Sequence, residues 1–441
     1  MNRQKTLQLI KKVQFHQFAI DVAFLLGGRT IVLLLSFAGS ILLARILGPE
    51  KRGIIAAIVV VPGIVLSLAD LGVRQATTYF LGKNLYSDQA VISTILYLSG
   101  VSFLFGTVVI FLVYIIIGVP QQYGWIITTI PLALLPFRLL VSYGSGVLLA
   151  KQQITSLSLA IILPEIVYFS LLLLFGLFGV LEVKSALIIE IVSASVAATY
   201  VLRRIKRFGR LRIAYIPKMP QKFIKLGFVY AMALFILGLN YRIDVVILGH
   251  LSSAKEVGIY SVGVSIAEML WLVPAALTTV NFGRSAASSD SLAYARKTAI
   301  VLRVTLAVSV FPCIGLYLMA PRLIPFVYGS AFSNSAVVVQ AILPGVWMSL
   351  IFKVLNSDLA GRGYPQFALW VYGATLVLNV LMNFWLIPLY GAVGSGLASS
   401  ASYCIGSLTF ALVYSRVSHL NMRDLLIPLP SDFKRLLPQK A

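Results

Sequence analysis

The sequence predicts an all-α polytopic membrane protein with about twelve transmembrane helices in two six-helix lobes. Three observations predict this class: the composition, a series of long apolar windows, and the uneven distribution of basic residues. Of 441 residues, 59% are hydrophobic and 11% are charged, and the mean hydropathy is +0.94, which excludes an ordinary soluble domain. A bilayer core needs about 20 apolar residues per helix. The chain therefore has room for about a dozen spans and little else.

Apolar windows bounded by charged or turn residues predict the individual spans. Their approximate limits are 22–47, 53–81, 89–117, 125–150, 153–181, 185–203, 222–250, 257–282, 294–320, 324–352, 364–388 and 392–416. An even number of spans places both basic termini on the same side of the membrane.

Lysine and arginine residues concentrate on one predicted side. With the N-terminus inside, 24 of them lie in inner segments and 6 in outer ones, as cytoplasmic loops require. This orientation puts the N- and C-termini in the cytoplasm. It also accounts for the formal charge of +22, so we expect no nucleic-acid partner. Cys313 and Cys404 lie in apolar runs and are expected to pack as small hydrophobes.

The charge pattern divides the chain into five segments. Residues 1–20 are expected to form an amphipathic helix on the inner leaflet, the alternative being an extension of the first span. The remaining segments are an N-lobe with spans 1–6, a basic cytoplasmic linker, a C-lobe with spans 7–12 and a cytoplasmic tail, at 21–203, 204–221, 222–416 and 417–441. No removable signal peptide is expected.

The two halves look like copies of one unit. "ARILGPEKRGIIAAIVVVPGI" (44–64) and "VVILGHLSSAKEVGIYSVGVSI" (245–266) share an Ile-Leu-Gly at the end of one span and a Gly-Ile at the start of the next. Six spans per half place both copies the same way up. Such parallel repeats are typical of alternating-access transporters, which bind substrate between the repeats.

Some charged residues inside the spans have simple structural explanations. Each charge costs about 2.5–3.5 kcal/mol at mid-bilayer. Asp70 and Arg74 are four residues apart, so we expect a structural ion pair on one helix face. Arg303 and Lys353 lie near the inner ends of their predicted spans and are expected to extend to the headgroups.

Other charges lie too deep for that explanation. Arg138 and Glu165 each follow a proline near the middle of neighbouring spans, which predicts either a structural salt bridge or a cavity wall. Glu268 is also deep in its span. Arg29 follows two glycines that allow close approach of another helix.

Arg242 and Asp244 interrupt the apolar stretch "LFILGLNYRIDVVILG" (234–249). Residues two apart on a helix point to nearly opposite sides, so each is expected to have its own partner. We expect Arg242 to face the lumen between the lobes. Asp244 is expected to bond neighbouring backbone or a basic residue.

Arginines inside the spans favour an anionic substrate. A guanidinium stays ionised and binds phosphate with two hydrogen bonds, so Arg29, Arg138 and Arg242 suit a diphosphate head group. A proton-coupled cation exporter would instead depend on intramembrane carboxylates. The candidates for that role are Glu165, Glu268 and Asp244.

Several motifs carry a family resemblance. "LLARILGPEKRGIIA", "LADLGVRQATTYFLG", "RIDVVILGHLSSAKEVGIYSVG", "LIPFVYGSAF" and "ILPGVW" resemble the polysaccharide transporter family, the Wzx-type O-antigen flippases of the MOP exporter superfamily, which includes the MATE transporters. The resemblance implies a MOP/MATE-like fold in the inner or plasma membrane. It also implies a flippase that moves undecaprenyl-diphosphate-linked oligosaccharide from the inner to the outer leaflet through a cationic cavity.

The resemblance has further implications. No cofactor is expected. The resemblance implies coupling to a proton or sodium gradient in at least some members. It also implies contact with membrane lipids and with other polysaccharide-assembly membrane proteins. Asp70 and Asp244 match acidic residues of the family, and Arg29 and Arg242 look similar in role to arginines of the lipid II flippases. Those flippases usually have two further spans, and this sequence shows no windows for them.

Two alternatives stay open. A multidrug or cation antiporter of the same fold would use the intramembrane carboxylates. A membrane-bound glycan polymerase or ligase would need a sizeable outer loop, and the longest outer connection is about 13 residues. His16, His250 and His419 are scattered and form no recognisable catalytic spacing.

Overall fold

A computed structural model describes residues 2–272, 290–364 and 366–428, together with Thr278, Asn281, Ser285 and Asp432. For residues 2–26 it describes the backbone alone. Throughout these residues the regular secondary structure is helical. The chain divides into two compact units, of which unit 1 comprises Met1–Leu47 and Ile58–Phe235 and unit 2 comprises Gly48–Ala57 and Ile236–Ala441.

Unit 1 is built from nine helices, the first and last of which it shares with unit 2. They are α1 (Asn2–Ala69), α2 (Val73–Gly82), α3 (Asp88–Ile117), α4 (Val119–Tyr123), α5 (Trp125–Thr129), α6 (Leu134–Ala150), α7 (Ile154–Leu177), α8 (Val183–Ile205) and α9 (Met219–Leu251). A 3-10 turn, Ile130–Ala133, joins α5 to α6. The backbone is helical from Asn2 into the first span, and the position of residues 1–20 on the inner leaflet stays a prediction.

Unit 2 continues from α9. Its described helices are α10 (Ala254–Glu268), α11 (Ser291–Tyr328), α12 (Asn334–Gly361), α13 (Gln366–Ser418) and α14 (Met422–Leu426). The 3-10 turn Met269–Trp271 extends α10, and Ser330–Phe332 precedes α12.

Nine helical segments among the described residues are long and apolar enough to cross a membrane. Two of them contain a pair of predicted spans each. Helix α1 is broken at Gly48 (φ 72°, ψ 176°) and α13 at Gly391 (φ 56°, ψ −131°), close to the limits that the apolar windows predict. The predicted span 257–282 begins as α10 and extends beyond the described residues. The segments therefore match the predicted series of spans.

Each unit has its own apolar core. In unit 1, Leu139, Tyr143 and Val147 follow one face of α6 and are almost completely buried, where they pack against α2, α3 and α8. In unit 2, Leu355 on α12 and Phe410 on α13 lie in a second core. The spacing of four residues places the three α6 side chains on one helix face.

The two copies of the repeated motif meet backbone to backbone within unit 2. A Cβ atom added to Gly53 would lie 1.6 Å from the carbonyl oxygen of Ala254, and one added to Gly258 would lie 1.8 Å from that of Pro49. These are the glycines of the two Gly-Ile pairs. The absence of a side chain at both positions is what allows this approach.

The basic linker, predicted at 204–221, is irregular between α8 and α9 and lies against α3. The side chain of Gln89 donates to the carbonyl of Arg210 at 3.0 Å and accepts from its N–H at 2.7 Å. Tyr215 packs edge-on against Tyr97 with ring centroids 5.4 Å apart. The linker is thus held by its backbone and apolar groups, and its proximity to anionic headgroups stays a prediction.

We expect Gly258→Ala to destabilise the protein by about 1–3 kcal/mol, because the added methyl group overlaps backbone atoms that cannot move independently. Gly373→Ala on α13 is the matched control, since a Cβ there has no neighbour within 4 Å and alanine favours the helix. Thermal unfolding of the purified protein in detergent measures both. Equal unfolding temperatures for the two variants would contradict the packing argument.

Candidate functional site

Arg242 and Asp244 lie on opposite sides of α9 and have separate partners, as their spacing predicts. Arg242 Nη2 donates to Glu268 Oε2 at 3.0 Å. The side chain of Arg242 is 45% exposed and that of Glu268 is 17% exposed. This pair therefore leaves part of the Arg242 side chain uncovered.

Asp244 is 1% exposed and accepts hydrogen bonds from neutral groups. Ser399 Oγ donates to Oδ2 at 3.0 Å, the hydroxyl of Tyr260 donates to the same atom, and the N–H of Val245 donates to Oδ1 at 2.7 Å. The bond to neighbouring backbone is confirmed. None of the described basic residues forms an ion pair with this carboxylate. Its direct contacts are neutral dipoles, and the charge of Arg242 acts on it through space.

The polar network around Asp244 continues along α13 on both sides of the break at Gly391. Asn379 Nδ2 donates to Ser399 Oγ at 3.3 Å and to Ser402 Oγ at 3.1 Å. Asn383 donates to Asn379 Oδ1 at 3.0 Å and accepts from Ser395 Oγ at 2.9 Å. One carboxylate therefore lies in a buried cluster of amide and hydroxyl oxygens, which are the ligands that a hard cation prefers.

The sequence reasoning missed this amide and hydroxyl cluster. A signal was present: "VLNVLMNFW" (377–385) carries two asparagines four residues apart in an apolar run, which places both on one helix face. Among the described residues, no group of three His, Cys, Asp or Glu side chains could hold a metal ion.

Arg138 and Glu165 do not pair with each other, which corrects one of the two predicted arrangements. Arg138 on α6 forms its ion pair with Glu190 on α8, while Glu165 on α7 accepts a hydrogen bond from Ser36 Oγ at 2.9 Å. Glu165, on the next span along the chain, was thus the wrong partner. Arg138 reaches Glu190 because α6 packs closely on α8. The Arg138 side chain remains 39% exposed.

Arg29 is exposed on α1, and none of the described residues forms an ion pair with it. The preceding Gly28 is buried, and a Cβ there would lie 3.0 Å from Ile162 of α7. The close helix approach expected for this glycine is therefore present. Arg29 itself is exposed.

The predicted placement of Asp70 and Arg74 on one helix face is wrong. No ion pair joins the two described side chains, although the charge of Arg74 still acts on Asp70. Helix α1 ends before Asp70 and α2 begins after Gly72, which adopts a left-handed conformation (φ 66°). The two residues therefore do not share one helix face. The carboxylate of Asp70 instead accepts from Ser142 Oγ at 2.5 Å, so Asp70 ties the turn to α6.

Arg303 and Lys353 do not extend to the headgroups as predicted. Arg303 is buried and binds Asp432 with two hydrogen bonds of 2.7 Å. Lys353 lies in the interior of α12, which continues to Gly361. Its ammonium group donates to the hydroxyl of Tyr241 at 3.0 Å and lies 3.9 Å from the ring centroid of Trp271. Both cations thus find partners inside unit 2.

Aromatic side chains form a cluster around Lys353 that the sequence reasoning also missed. Tyr241 and Trp271 have ring centroids 5.0 Å apart, and Tyr403 lies 6.2 Å from Tyr241. A cavity of about 20 Å³ lies behind this cluster, with Tyr372 in its wall. That volume admits about one water molecule.

Comparison with known proteins places this geometry in context. Residues 18–286 match the family model described as "Polysaccharide biosynthesis protein". A curated relative is the probable flippase AglR of Haloferax volcanii, 26% identical over 176 residues, which are 38% of this chain and 36% of that protein. The chain thus spans about a third of the length of that relative.

Two solved structures resemble the whole fold. The lipid II flippase MurJ in an inward closed conformation has a TM-score of 0.76 at 13% identity, covering 91% of this chain and 88% of that chain. An inward-facing multidrug resistance MATE family transporter of the MOP superfamily has a TM-score of 0.70 at 14% identity, covering 88% and 94%. The predicted MOP/MATE-like all-α fold is confirmed.

We expect the Arg138 and Glu190 ion pair to show coupling of about 1 kcal/mol, because it is partly exposed and therefore weaker than a buried pair. Arg138→Gln and Glu190→Gln should each lower the free energy of unfolding, and the double variant should lose less than the sum. Unfolding in mixed micelles measures the cycle. Glu165→Gln with Arg138→Gln is the control, and equal coupling in both cycles would refute the assigned partner.

Proposed function

Because the chain belongs to the polysaccharide biosynthesis protein family, with residues 18–286 matching its model, we propose that it is a flippase for lipid-linked oligosaccharide. In this proposal it moves undecaprenyl-diphosphate-linked repeat units from the inner to the outer leaflet by alternating access. Both termini lie in the cytoplasm, and the protein works in the inner or plasma membrane beside other proteins of polysaccharide assembly. The names of similar proteins support a transporter: one is a probable flippase and one a lipid II flippase.

The observation that carries the proposal is the set of arginines that lie within the spans and keep partly exposed side chains. Arg29 is exposed, and Arg242 and Arg138 remain 45% and 39% exposed although each has an acidic partner. An arginine buried only for structure would be covered, as Arg303 is. Exposed guanidinium groups in an apolar surrounding favour an anion such as diphosphate, which accepts two parallel hydrogen bonds.

The acidic partners of these arginines have a role in the same proposal. An ion pair with partial exposure contributes only about 0–1 kcal/mol, so a diphosphate group, which carries two negative charges in all, can replace a single carboxylate at the guanidinium. In the substrate-free protein the carboxylate limits the cost of placing a cation within the spans. Glu268 serves Arg242 in this way, and Glu190 serves Arg138.

Asp244 is the carboxylate best suited to carry the coupling ion. It is buried and has neutral donors, whereas Glu268 already pairs with Arg242 and Glu165 accepts from Ser36. A buried carboxylate without a cation is costly, so a proton or a sodium ion would stabilise it. The hydroxyl oxygens of Ser399 and Tyr260, which contact this carboxylate, supply further ligands for sodium.

One alternative has an observation in its favour. A multidrug or cation antiporter of the same fold would use the same buried Asp244, and a multidrug resistance MATE transporter is among the similar structures. Such an exporter has no need for three exposed arginines in its spans, because they would repel a cationic substrate. The arginines therefore favour the flippase.

We expect Arg242→Ala and Arg29→Ala to reduce translocation at least about 100-fold while the protein still inserts and folds, because each loses a bidentate phosphate contact. Lysine at either position should restore activity only in part, since it keeps the charge and loses the planar fork. The measurement follows a polyprenyl-diphosphate oligosaccharide from the inner to the outer leaflet of proteoliposomes. Lys184→Ala, which removes an exposed charge from a span end, is the control.

Efflux of a cationic dye from the same proteoliposomes separates the two functions. Glycolipid transfer without dye efflux supports the flippase. Dye efflux without glycolipid transfer would overturn it in favour of the antiporter. Full glycolipid transfer in both arginine variants would reject the proposed role of these two residues. It would not contradict the proposed substrate.

We expect Asp244→Asn to abolish the dependence of translocation on an ion gradient, because the amide cannot lose a proton and binds a cation more weakly. Initial rates are compared under an imposed proton gradient, an imposed sodium gradient and neither. Asp88→Asn is the control, since Asp88 pairs with Lys151 at the ends of two spans. An unchanged response in Asp244→Asn would show that the coupling group lies elsewhere.

A further inference from the structure

Lys353 is the single Lys or Arg residue of α12, and it has no acidic partner among the described residues. It lies eight residues before the end of the helix at Gly361, or about 12 Å along the helix axis. Within a span an ammonium group costs free energy that a carboxylate would normally offset. Here aromatic side chains stand where a carboxylate would be expected. This arrangement suggests that Lys353 has a role in binding as well as in folding.

The contacts of Lys353 define a small box, formed by Tyr241 of α9 and Trp271 of the 3-10 turn after α10. The ammonium nitrogen lies 3.9 Å from the centroid of the Trp271 ring and 4.9 Å from that of Tyr241, and it donates to the Tyr241 hydroxyl at 3.0 Å. All three side chains are partly exposed. The box is therefore open to a ligand from one side.

The walls of this box are held in place by other bonds. The indole N–H of Trp271 donates to Ser349 Oγ at 2.9 Å and to the carbonyl of Val346 at 3.1 Å. The Tyr241 hydroxyl lies 3.3 Å from that of Tyr372. The rings are thus preorganised, while the lysine is held by a cation–π contact and one neutral hydrogen bond.

Such a contact is weak enough to exchange. A cation–π interaction contributes about 0.5–2 kcal/mol, whereas a charge-assisted hydrogen bond to phosphate or carboxylate is roughly twice as strong as a neutral one. An anionic group that reaches the box would draw the flexible lysine away from the indole. The movement uncovers the face of Trp271 on which the ammonium group had rested.

We propose that Lys353, Trp271 and Tyr241 form a saccharide subsite in which an anionic group of the ligand takes the lysine and a sugar ring takes its place on Trp271. The chemistry that the box recognises is a sugar ring next to a phosphate or carboxylate. The anion has two sources, the diphosphate at the reducing end or an acidic sugar within the glycan. This inference rests on the proposed function, because it names the part of the glycolipid that the C-lobe would bind.

The test measures binding to the full-length protein in nanodiscs, followed by tryptophan fluorescence and by displacement of a labelled glycolipid. The probes are a polyprenyl diphosphate with a neutral disaccharide, the same lipid without sugar, and a soluble disaccharide with one uronic acid. Wild-type protein should bind the glycosylated diphosphate more tightly than the lipid alone. Binding of the uronic acid disaccharide distinguishes an acidic sugar from the diphosphate as the anion.

The variants separate charge from stacking. Lys353→Met should weaken binding of the glycosylated probe at least 10-fold, and Lys353→Arg should retain most of it. Trp271→Phe should weaken the glycosylated probe about 3- to 10-fold and leave the lipid without sugar unchanged. A merely structural role for Trp271 would weaken both probes alike.

Trp347→Phe is a close control, since the indole of Trp347 on α12 also donates to a serine hydroxyl, Ser309, and to a backbone carbonyl. Binding to the wild-type protein separates a failure of the proposed flippase function from a failure of the proposed saccharide subsite. If no probe binds the wild-type protein, the proposed function fails. If the glycosylated probe binds, and Lys353→Met and Trp271→Phe bind it as Trp347→Phe does, the saccharide subsite is refuted and the flippase proposal stands.

Discussion

The cost of a charge within lipid is the constraint on which the arrangement of both units depends. Each ion pair that the structure describes lies within a single unit, as the pair of Arg138 with Glu190 and that of Arg242 with Glu268 show. Because such a group must be satisfied inside the protein, the charges of these pairs are compensated within each unit. The excess of basic residues is left to the loops and the segments at the chain ends.

The helices and their approximate limits could be predicted from the sequence, because apolar length is set by bilayer thickness and short-range signals mark the breaks. The motif that ends a span in Ile-Leu-Gly coincides with the break at Gly48. The turn at Asp70 could not be predicted from spacing. "LADLGV" reads as a continuous helix, but Leu71 and Gly72 both adopt left-handed conformations (φ 52° and 66°), so Asp70 and Arg74 do not share one helix face.

The candidate site was predictable in part. Side chains two residues apart on a helix point to nearly opposite sides, so separate partners for Arg242 and Asp244 could be predicted from helix geometry alone. The identity of those partners did not follow, because Ser399 is 155 positions from Asp244 and only tertiary packing brings them together. The same reason explains why Arg303 and Lys353 were wrongly predicted to extend to the headgroups. That prediction considered one helix at a time, whereas their partners Asp432 and Trp271 belong to other segments.

The described cations differ in how firmly they are held, and this difference separates structural from functional roles. Arg303 and Asp432 are both buried and joined by two hydrogen bonds, so losing either partner would leave an uncompensated charge at a cost of about 3–5 kcal/mol. Arg242 and Lys353 are held by a partly exposed carboxylate and by aromatic rings. Those contacts contribute no more than the free energy that an incoming phosphate would provide. A protein that must bind an anionic glycolipid and then release it needs cations of this second kind, since a site that binds too firmly would retain its substrate.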